Sequence, residues 1–207
     1  RVLLIHGTSD CFTSGNDLKD FLNAPETDDS SPVVKFLHGI AAAPKPIVAA
    51  VAGPAIGIGT TLLLHCDLIY AAENSRFQLP FINLGLCPEA AASDLLPRLV
   101  GYHRAAELLL LGEPFSGPQA HAWGLVNHVV PDADVLSSAL SAARKLASLP
   151  PGALAVTKSL LRQGQTEHTR RIMDLELRHF HERLRSPECA EALAAFFERR
   201  PPDFSRF

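Results

Sequence analysis

The chain has 207 residues, of which 47% are hydrophobic and 20% are charged, and its formal net charge is −3 with an isoelectric point near 6.3. This length suits one large domain, or one domain with a small appendage, and the weakly acidic charge gives no electrostatic basis for binding nucleic acid or an anionic membrane. The four cysteines and nine histidines lack metal-ligand spacing, and no apolar run reaches the ~20 residues that span a bilayer. We expect a soluble, cytoplasmic protein with no metal site and with no nucleic-acid or membrane partner.

The first part of the chain predicts a strand, a helix, a loop and a second helix. The apolar run at 2–5 predicts a buried strand, and because a domain seldom opens on such a strand, we expect sequence upstream of Arg1. A helix is predicted over 17–22 and a polar loop over 23–32. Apolar residues at helical spacing predict another helix over 33–42, which the following Pro-Lys-Pro ends.

The next segment predicts an α/β sheet. The continuous apolar run at 47–51 indicates a buried strand, and a glycine-rich turn over 52–59 leads into a helix over 60–64. Two further strands are predicted over 68–72 and 77–79. Because strands, glycine turns and helices alternate, we expect parallel strands that are joined by crossovers.

The second half of the chain is more helical. The segment 86–101 predicts a helix that begins at Pro88. Ser116, with Gln119 three residues later, predicts the capping box of another helix. A strand is predicted over 125–130.

Helices alone are predicted near the end of the chain. Asp132 or Asp134 is expected to cap a helix, and from Pro150 onward the pattern is helical only. The sequence therefore divides into an α/β core over 1–150 and a C-terminal helical region over 151–207.

Two glycine turns, each after a predicted strand and before a predicted helix, are candidates for a binding site. The N–H groups that follow such glycines point outward without intrahelical partners. If the turn at Gly15-Asn16 lies beside the turn at Gly57-Ile58, two N–H donors can meet one oxygen, which is the arrangement of an oxyanion hole. The alternative is that Gly15 only makes a turn and Asn16 or Asp17 caps the next helix.

Five blocks occur in an order and at separations that resemble a known family. They are FTSGNDL at 12–18, KPIVAAVAGPAIGIGTTLLLHCDLIYAAENSRFQLPFINLGL at 45–86, LPRLVG at 96–101, AHAWGLVNHVV at 120–130 and AFFERRPPDF at 195–204. Together they resemble the crotonase family of enoyl-CoA hydratases and isomerases over nearly the whole chain. The resemblance implies an α/β fold with a crotonase-like ββα spiral core and a helical C-terminal region, with the family's N-terminal hairpin missing.

The resemblance implies that the chain stabilises the enolate of an acyl-CoA thioester. On this reading the backbone N–H groups of Asn16 and Ile58 are the two oxyanion donors. Hydratases of the family use two glutamates, and the aligned positions hold Thr61 and Phe81, which cannot activate a water as that pair does. The Δ3,Δ2-enoyl-CoA isomerases of peroxisomal type also lack both glutamates, and SGND at 14–17, GPAIG at 53–57 and LGLCPEA at 84–90 resemble their motifs, except for alanine in place of glycine after the glutamate. This resemblance implies that Glu89 is the catalytic base.

A single carboxylate suits this isomerisation, which takes a proton from carbon 2 and returns one to carbon 4. Apolar neighbours such as Phe77, Leu79 and Leu84 are expected to raise the pKa of Glu89 by desolvation, which suits a general acid/base. The alternative is that Glu89 lies in the first turn of the helix that starts at Pro88 and interacts with the helix dipole.

Further contacts are predicted from the same resemblance. Substrate is expected to contact Ser14, Gly15, Gly57, Phe81 and Phe197. Phe196 and Phe197 are expected to lie near the acyl or adenine pocket of a neighbouring subunit. Lys158, with Arg162 on one late helix face, is either solvated or a ligand of the CoA phosphates; Asp17 is expected to be an N-cap, and His65 a packed or capping histidine.

The resemblance also implies a homotrimer or hexamer in which the region 151–207 takes part in oligomerisation. No metal or redox cofactor is called for, and CoA enters only as part of the acyl-CoA substrate. Two alternatives to an isomerase remain. One is another crotonase-type enzyme, either a hydratase with a different base or an acyl-CoA hydrolase, and the other is a non-catalytic acyl-CoA-binding protein.

Overall fold

The computed structural model describes residues 1–23 and 31–207. Its strands are β1 (Leu3–His6), β2 (Ile47–Val51), β3 (Pro54–Ile56), β4 (Leu68–Ala72), β5 (Arg76–Gln78), β6 (Phe115–Ser116) and β7 (His128–Val130). Its α-helices are α1 (Leu18–Asn23), α2 (Pro32–Ala41), α3 (Ile58–Thr61), α4 (Ala92–Val100), α5 (Tyr102–Leu111), α6 (Gly117–Ala122), α7 (Val135–Ser148), α8 (Pro151–Leu161), α9 (Thr166–Leu184) and α10 (Pro187–Glu198). Single 3₁₀ turns follow α3 and β5 and precede α7.

Within the described ranges, the strands form two sheets. The larger is parallel throughout, in the order β1-β2-β4-β7, and every residue of β2 is buried because helices cover both of its faces. The smaller sheet has the order β3-β5-β6, with β3 parallel and β6 antiparallel to β5. The predicted α/β class with parallel strands is confirmed.

Most predicted elements are present, and some local predictions need correction. The predicted turn over 52–59 contains the short strand β3, which pairs with β5 and has a glycine with positive φ on each side, Gly53 and Gly57. The helix predicted from Pro88 begins only at Ala92, since the two preceding alanines adopt a left-handed backbone. The sequence analysis also missed α5. The predicted loop falls largely on 24–30, outside the described residues.

Capping residues mark several helix ends as the sequence predicts. The Ser116 hydroxyl accepts the N–H of Gln119, and the Gln119 side chain accepts the N–H of Ser116, so the predicted capping box of α6 is confirmed. The Asp17 carboxylate accepts the N–H of Lys19 and caps α1. Asp134 stands before α7 but makes no side-chain cap.

The C-terminal helices pack directly on the core. Met173 and Leu177 of α9 form a buried cluster with Val34 and Leu37 of α2, and Leu193 of α10 joins the main cluster around the parallel sheet. In the described part of the chain, no helix combines the length and the apolar character needed to cross a membrane.

Candidate active site

The two glycine turns lie side by side. Thr13 and Ala55 form a parallel bridge, the N–H groups of Phe12 and Thr13 both donate to the carbonyl of Pro54 at 3.1 Å, and the N–H of Ile56 donates to the carbonyl of Thr13 at 3.1 Å. The two predicted N–H donors each lie three residues after a residue of this bridge: Asn16 follows Thr13 and Ile58 follows Ala55. The bridge therefore brings two turns that are some forty residues apart in sequence to one place.

Glycine is required at both turns for different reasons. A Cβ atom at Gly15, which has φ +91°, would come within 2.9 Å of the carbonyl oxygen of Ile56, so the close approach of the turns excludes a side chain. Gly57 meets no neighbour within 4 Å, but its φ of 57° and ψ of −119° are strongly disfavoured for residues with a Cβ atom. This conformation turns the chain from β3 into α3 and sets the direction of the next N–H.

The N–H groups of Asn16 and Ile58 have no hydrogen-bond acceptor among the described residues. Ile58 is the first residue of α3, where an N–H has no partner inside the helix. Both residues line a cavity of about 730 Å³, together with Ser14, Gly15 and Gly57. These five predicted residues are thus brought together, with two free donors at one wall of the cavity.

Glu89 lines the same cavity, although its side chain is only 5% exposed. The helix-dipole alternative is corrected, because Glu89 stands three residues before α4 rather than in its first turn. Oε1 accepts a hydrogen bond from the hydroxyl of Thr61, whereas Oε2 has no partner among the described residues. A buried carboxylate with one anchored and one free oxygen is suited to proton transfer.

A strained turn holds Glu89 in place. Ala90 and Ala91 follow it with φ of +60° and +58°, a conformation that costs an alanine about 1–2 kcal/mol. The carboxylate of Glu176 on α9 accepts the N–H of Ala91 at 2.6 Å, and Nε2 of His65 lies 2.8 Å from the carbonyl of Ala90. Because a carbonyl only accepts, His65 donates there as a neutral imidazole, and burial lowers its pKa to about 4.

The environment favours the protonated form of Glu89 near neutral pH. Burial raises the pKa of the Glu89 carboxyl to about 7, the hydrogen bond from Thr61 opposes this rise, and the charge of Glu176 adds to it. Burial also raises the pKa of Glu176 to about 7 against three donors, which come from Ala91 and Ser93. A carboxyl that titrates near pH 7 can both take and return a proton.

The raised pKa of Glu89 predicts a pH-dependent effect on stability. The folded protein holds this proton more tightly than the unfolded chain, where the carboxyl titrates near 4.5, so its contribution to stability is lost as pH rises through about 7. Glu89→Gln is therefore expected to gain unfolding free energy relative to wild type between pH 5 and pH 8, by about 1–3 kcal/mol. Urea unfolding at both pH values measures this; an equal difference at the two values would contradict it.

Aromatic side chains form the apolar wall of the cavity. The ring of Phe180 on α9 meets Phe21 edge-on at 5.9 Å and Phe81 at 6.5 Å between centroids. Phe81, predicted as a substrate contact, lines the cavity and is buried. Phe196 and Phe197 of α10 also line the cavity of their own chain, and their expected contact with a neighbouring subunit's pocket stays a prediction.

Lys158 lies away from this cavity and has other partners. Its ammonium group donates to the carboxylate of Asp67 at 2.6 Å and to the carbonyl of Lys45 at 2.7 Å, and burial lowers its pKa. Arg162 donates to the carbonyls of Ala41 and His65 at 3.1 and 2.7 Å. These bonds fasten α8 to the core, so Lys158 is buried and does not belong to a solvated face. Its predicted contact with CoA phosphates stays a prediction.

The buried position of Lys158 predicts a stability effect rather than a binding effect. Lys158→Met leaves Asp67 with Arg162 as its cationic partner. We expect the unfolding free energy to fall by about 1–3 kcal/mol. This is less than the loss on breaking a fully buried ion pair, because Asp67 is partly exposed. The KM for an acyl-CoA is expected to stay within about threefold. A KM that rises tenfold without a loss of stability would instead support the CoA-phosphate prediction.

Three residues that matter here were missed or underestimated in the sequence analysis. Thr61 was treated only as the replacement of a hydratase glutamate, His65 only as a packed or capping histidine, and Glu176 was not singled out. Helical spacing places Glu176 on the apolar face of α9 with Met173, Leu177 and Phe180, and a carboxylate at such a position is the signal that could have found it.

Comparison with known proteins finds relatives that match nearly the whole chain. A family model described as enoyl-CoA hydratase/isomerase matches residues 1–206. The chain is 34% identical to rat (Rattus norvegicus) enoyl-CoA delta isomerase 2 over 97% of its own length and 53% of the relative, and 36% identical to a probable enoyl-CoA hydratase of Bacillus subtilis over 99% and 81%. The solved structure of Pseudomonas aeruginosa OdaA superposes with a TM-score of 0.94 at 52% identity and covers 96% of this chain and 81% of that one.

The fold and the site define an α/β protein in which two residues with unpartnered N–H groups, Asn16 and Ile58, line one cavity with the buried carboxyl group of Glu89. The chain belongs to the enoyl-CoA hydratase/isomerase family, the crotonase family. It spans about half the length of the rat relative and about four fifths of the bacterial one.

Proposed function

We propose that this protein is an enoyl-CoA isomerase that moves a double bond between carbons 3 and 2 of an acyl-CoA thioester. The observation that carries the proposal is that Glu89, whose buried Oε2 has no hydrogen-bond partner among the described residues, lines the same cavity as Asn16 and Ile58, whose N–H groups have no acceptor there. One base and two oxyanion donors are sufficient for this reaction.

The steps follow from the chemistry of the thioester. Its oxygen accepts hydrogen bonds from the N–H groups of Asn16 and Ile58, which are rigid and do not titrate. Oε2 of Glu89 takes the proton from carbon 2, and the electrons of the broken C–H bond spread over the carbons and the thioester oxygen as a dienolate. Glu89 then returns the proton to carbon 4, so the double bond ends between carbons 2 and 3.

Hydration is the less favoured reaction, because it needs a second group to activate water at carbon 3. The two positions aligned with the hydratase glutamates hold Thr61, which is bonded to Glu89, and Phe81, which packs against Phe180. Asp17 is the other carboxylate among the described residues that line the cavity, and it caps α1. These contacts support isomerisation over hydration.

A product-resolving assay tests the proposal. Purified protein is incubated with 3-hexenoyl-CoA and, separately, with 2-hexenoyl-CoA, and products are separated by chromatography. We expect conversion of the first into 2-hexenoyl-CoA, with 3-hydroxyhexanoyl-CoA formed at least about 100-fold more slowly from the second. Faster hydration than isomerisation would favour the hydratase alternative.

Assembly and location stay predictions. The homotrimer or hexamer is supported by apolar side chains that α8 leaves exposed, namely Val156, Leu160 and Leu161. The cytoplasmic location and the absence of a cofactor rest on the sequence alone.

A further inference from the structure

The hydroxyl group of Thr61 lies between Glu89 and the peptide group that joins Gly57 to Ile58. Thr61 is fully buried on α3, four residues after Gly57. Its Oγ1 donates to Oε1 of Glu89 and also lies 3.5 Å from the carbonyl oxygen of Gly57. A threonine hydroxyl has one proton, so it donates to one of these oxygens at a time.

The carbonyl of Gly57 belongs to the same peptide group as the N–H of Ile58, the second oxyanion donor. That carbonyl already accepts the N–H groups of Thr60 at 2.8 Å and Thr61 at 3.0 Å. An additional donor on a peptide oxygen withdraws electron density and makes the N–H of that peptide a stronger donor, which is the cooperativity of hydrogen-bonded chains.

We propose that Thr61 is a positioning residue that couples the protonation of Glu89 to the strength of the Ile58 donor. When Glu89 is ionised, Thr61 donates to Oε1 and leaves Oε2 for the substrate. When Oε2 takes the proton from carbon 2, Oε1 becomes a weaker acceptor and the hydroxyl shifts toward Gly57. The Ile58 N–H is then strengthened as negative charge reaches the thioester oxygen.

This proposal rests on the proposed function for its catalytic consequence, and its geometry stands without it. The other charged group that acts on Glu89 is Glu176 on α9, which is held by Ala91 and Ser93, whereas His65 stays neutral and contacts the neighbouring carbonyl. Among the described residues, neither Glu176 nor His65 makes a hydrogen bond to the peptide group that joins Gly57 to Ile58. Thr61 is the side chain that contacts both Glu89 and that peptide.

The test compares Thr61→Val, which removes the hydroxyl at nearly constant shape, with Thr61→Ser, which retains it. In Thr61→Val we expect kcat for 3-hexenoyl-CoA to fall about 10- to 100-fold, as for a lost hydrogen bond to a charged group, with KM within about threefold. Thr61→Ser is expected to restore most of kcat. Ser75→Ala is the control for the loss of a buried hydroxyl, because Ser75 donates to the carbonyl of Val51 at 2.8 Å and does not line the cavity. Its kcat is expected to stay within about twofold of wild type.

A spectroscopic measurement separates this proposal from the proposed function. The infrared carbonyl band of bound hexanoyl-CoA, which cannot isomerise, is recorded at pH 5.5 and pH 8.5. In wild type and Thr61→Ser we expect the band to move to lower wavenumber as Glu89 becomes protonated, and in Thr61→Val this shift should be at most about half as large. The same shift in all three proteins would overturn the proposal. A wild type that does not isomerise 3-hexenoyl-CoA would overturn only the proposed function, and the band shift would still decide the role of Thr61.

Discussion

Glu89→Gln is expected to lower kcat for 3-hexenoyl-CoA by about 10²- to 10⁴-fold, the range for loss of a general acid/base. The amide is nearly the same size as the carboxyl and can still accept the Thr61 hydroxyl at its oxygen. It cannot take a proton from carbon 2, so the chemical step is lost while the cavity keeps its shape. Steady-state kinetics with product separation measures the loss.

The affinity of Glu89→Gln for hexanoyl-CoA and the activity of Glu89→Asp serve as controls for this prediction. The Kd of hexanoyl-CoA for Glu89→Gln is expected to stay within about threefold of wild type, since the two N–H donors are unchanged. Glu89→Asp keeps a carboxyl but withdraws it by one methylene, so its kcat should lie between those of wild type and Glu89→Gln. Undiminished turnover in Glu89→Gln would remove Glu89 from the mechanism.

Gly57→Ala is expected to lower kcat by about 10²- to 10³-fold, the loss measured when one oxyanion donor is removed. A Cβ atom at Gly57 meets no neighbour, so the effect comes from the backbone, whose φ of 57° and ψ of −119° alanine adopts only with strain. Relief of that strain rotates the peptide that carries the Ile58 N–H away from the cavity. Strain is also expected to reduce the unfolding free energy by about 1–3 kcal/mol.

Gly101→Ala is the matched control for this substitution. Gly101 also has a positive φ, of 80°, with ψ of 156°, and a Cβ atom there would likewise meet no neighbour within 4 Å. It stands between α4 and α5, away from the cavity. This variant should lose a similar amount of unfolding free energy and keep kcat within about twofold of wild type. Equal losses of kcat in both variants would show that general destabilisation, rather than the Ile58 donor, explains the effect.

Much of the fold could be predicted because the decisive signals are local. The strands β2 and β4 match their predicted bounds, since a continuous apolar run between turn residues is a strong signal. The start of α4 could not be predicted in this way. Ala90 and Ala91 have high helix propensity, yet they adopt a left-handed backbone in a turn that is bonded by Glu176 and His65 from distant parts of the chain.

In the candidate site, too, the residues with a local sequence signal could be predicted, and the contacts between distant parts of the chain could not. The glycine pattern and the family resemblance pointed to Asn16, Ile58 and Glu89, and the structure places all three around one cavity. The role of Lys158 could not be predicted from the sequence, because nothing in the sequence around a lysine on a helix indicates that Asp67, 91 residues earlier, pairs with it. The contact between Thr61 and Glu89 likewise depends on how two turns meet in space.

A structure of the protein with hexanoyl-CoA bound tests the central claim most directly, because this saturated thioester occupies the site without reacting. We expect the thioester oxygen to lie about 2.7–3.1 Å from the backbone nitrogens of both Asn16 and Ile58, with Oε2 of Glu89 facing carbon 2. A thioester oxygen bonded to neither nitrogen, or a carbon 2 that faces away from Glu89, would contradict the account.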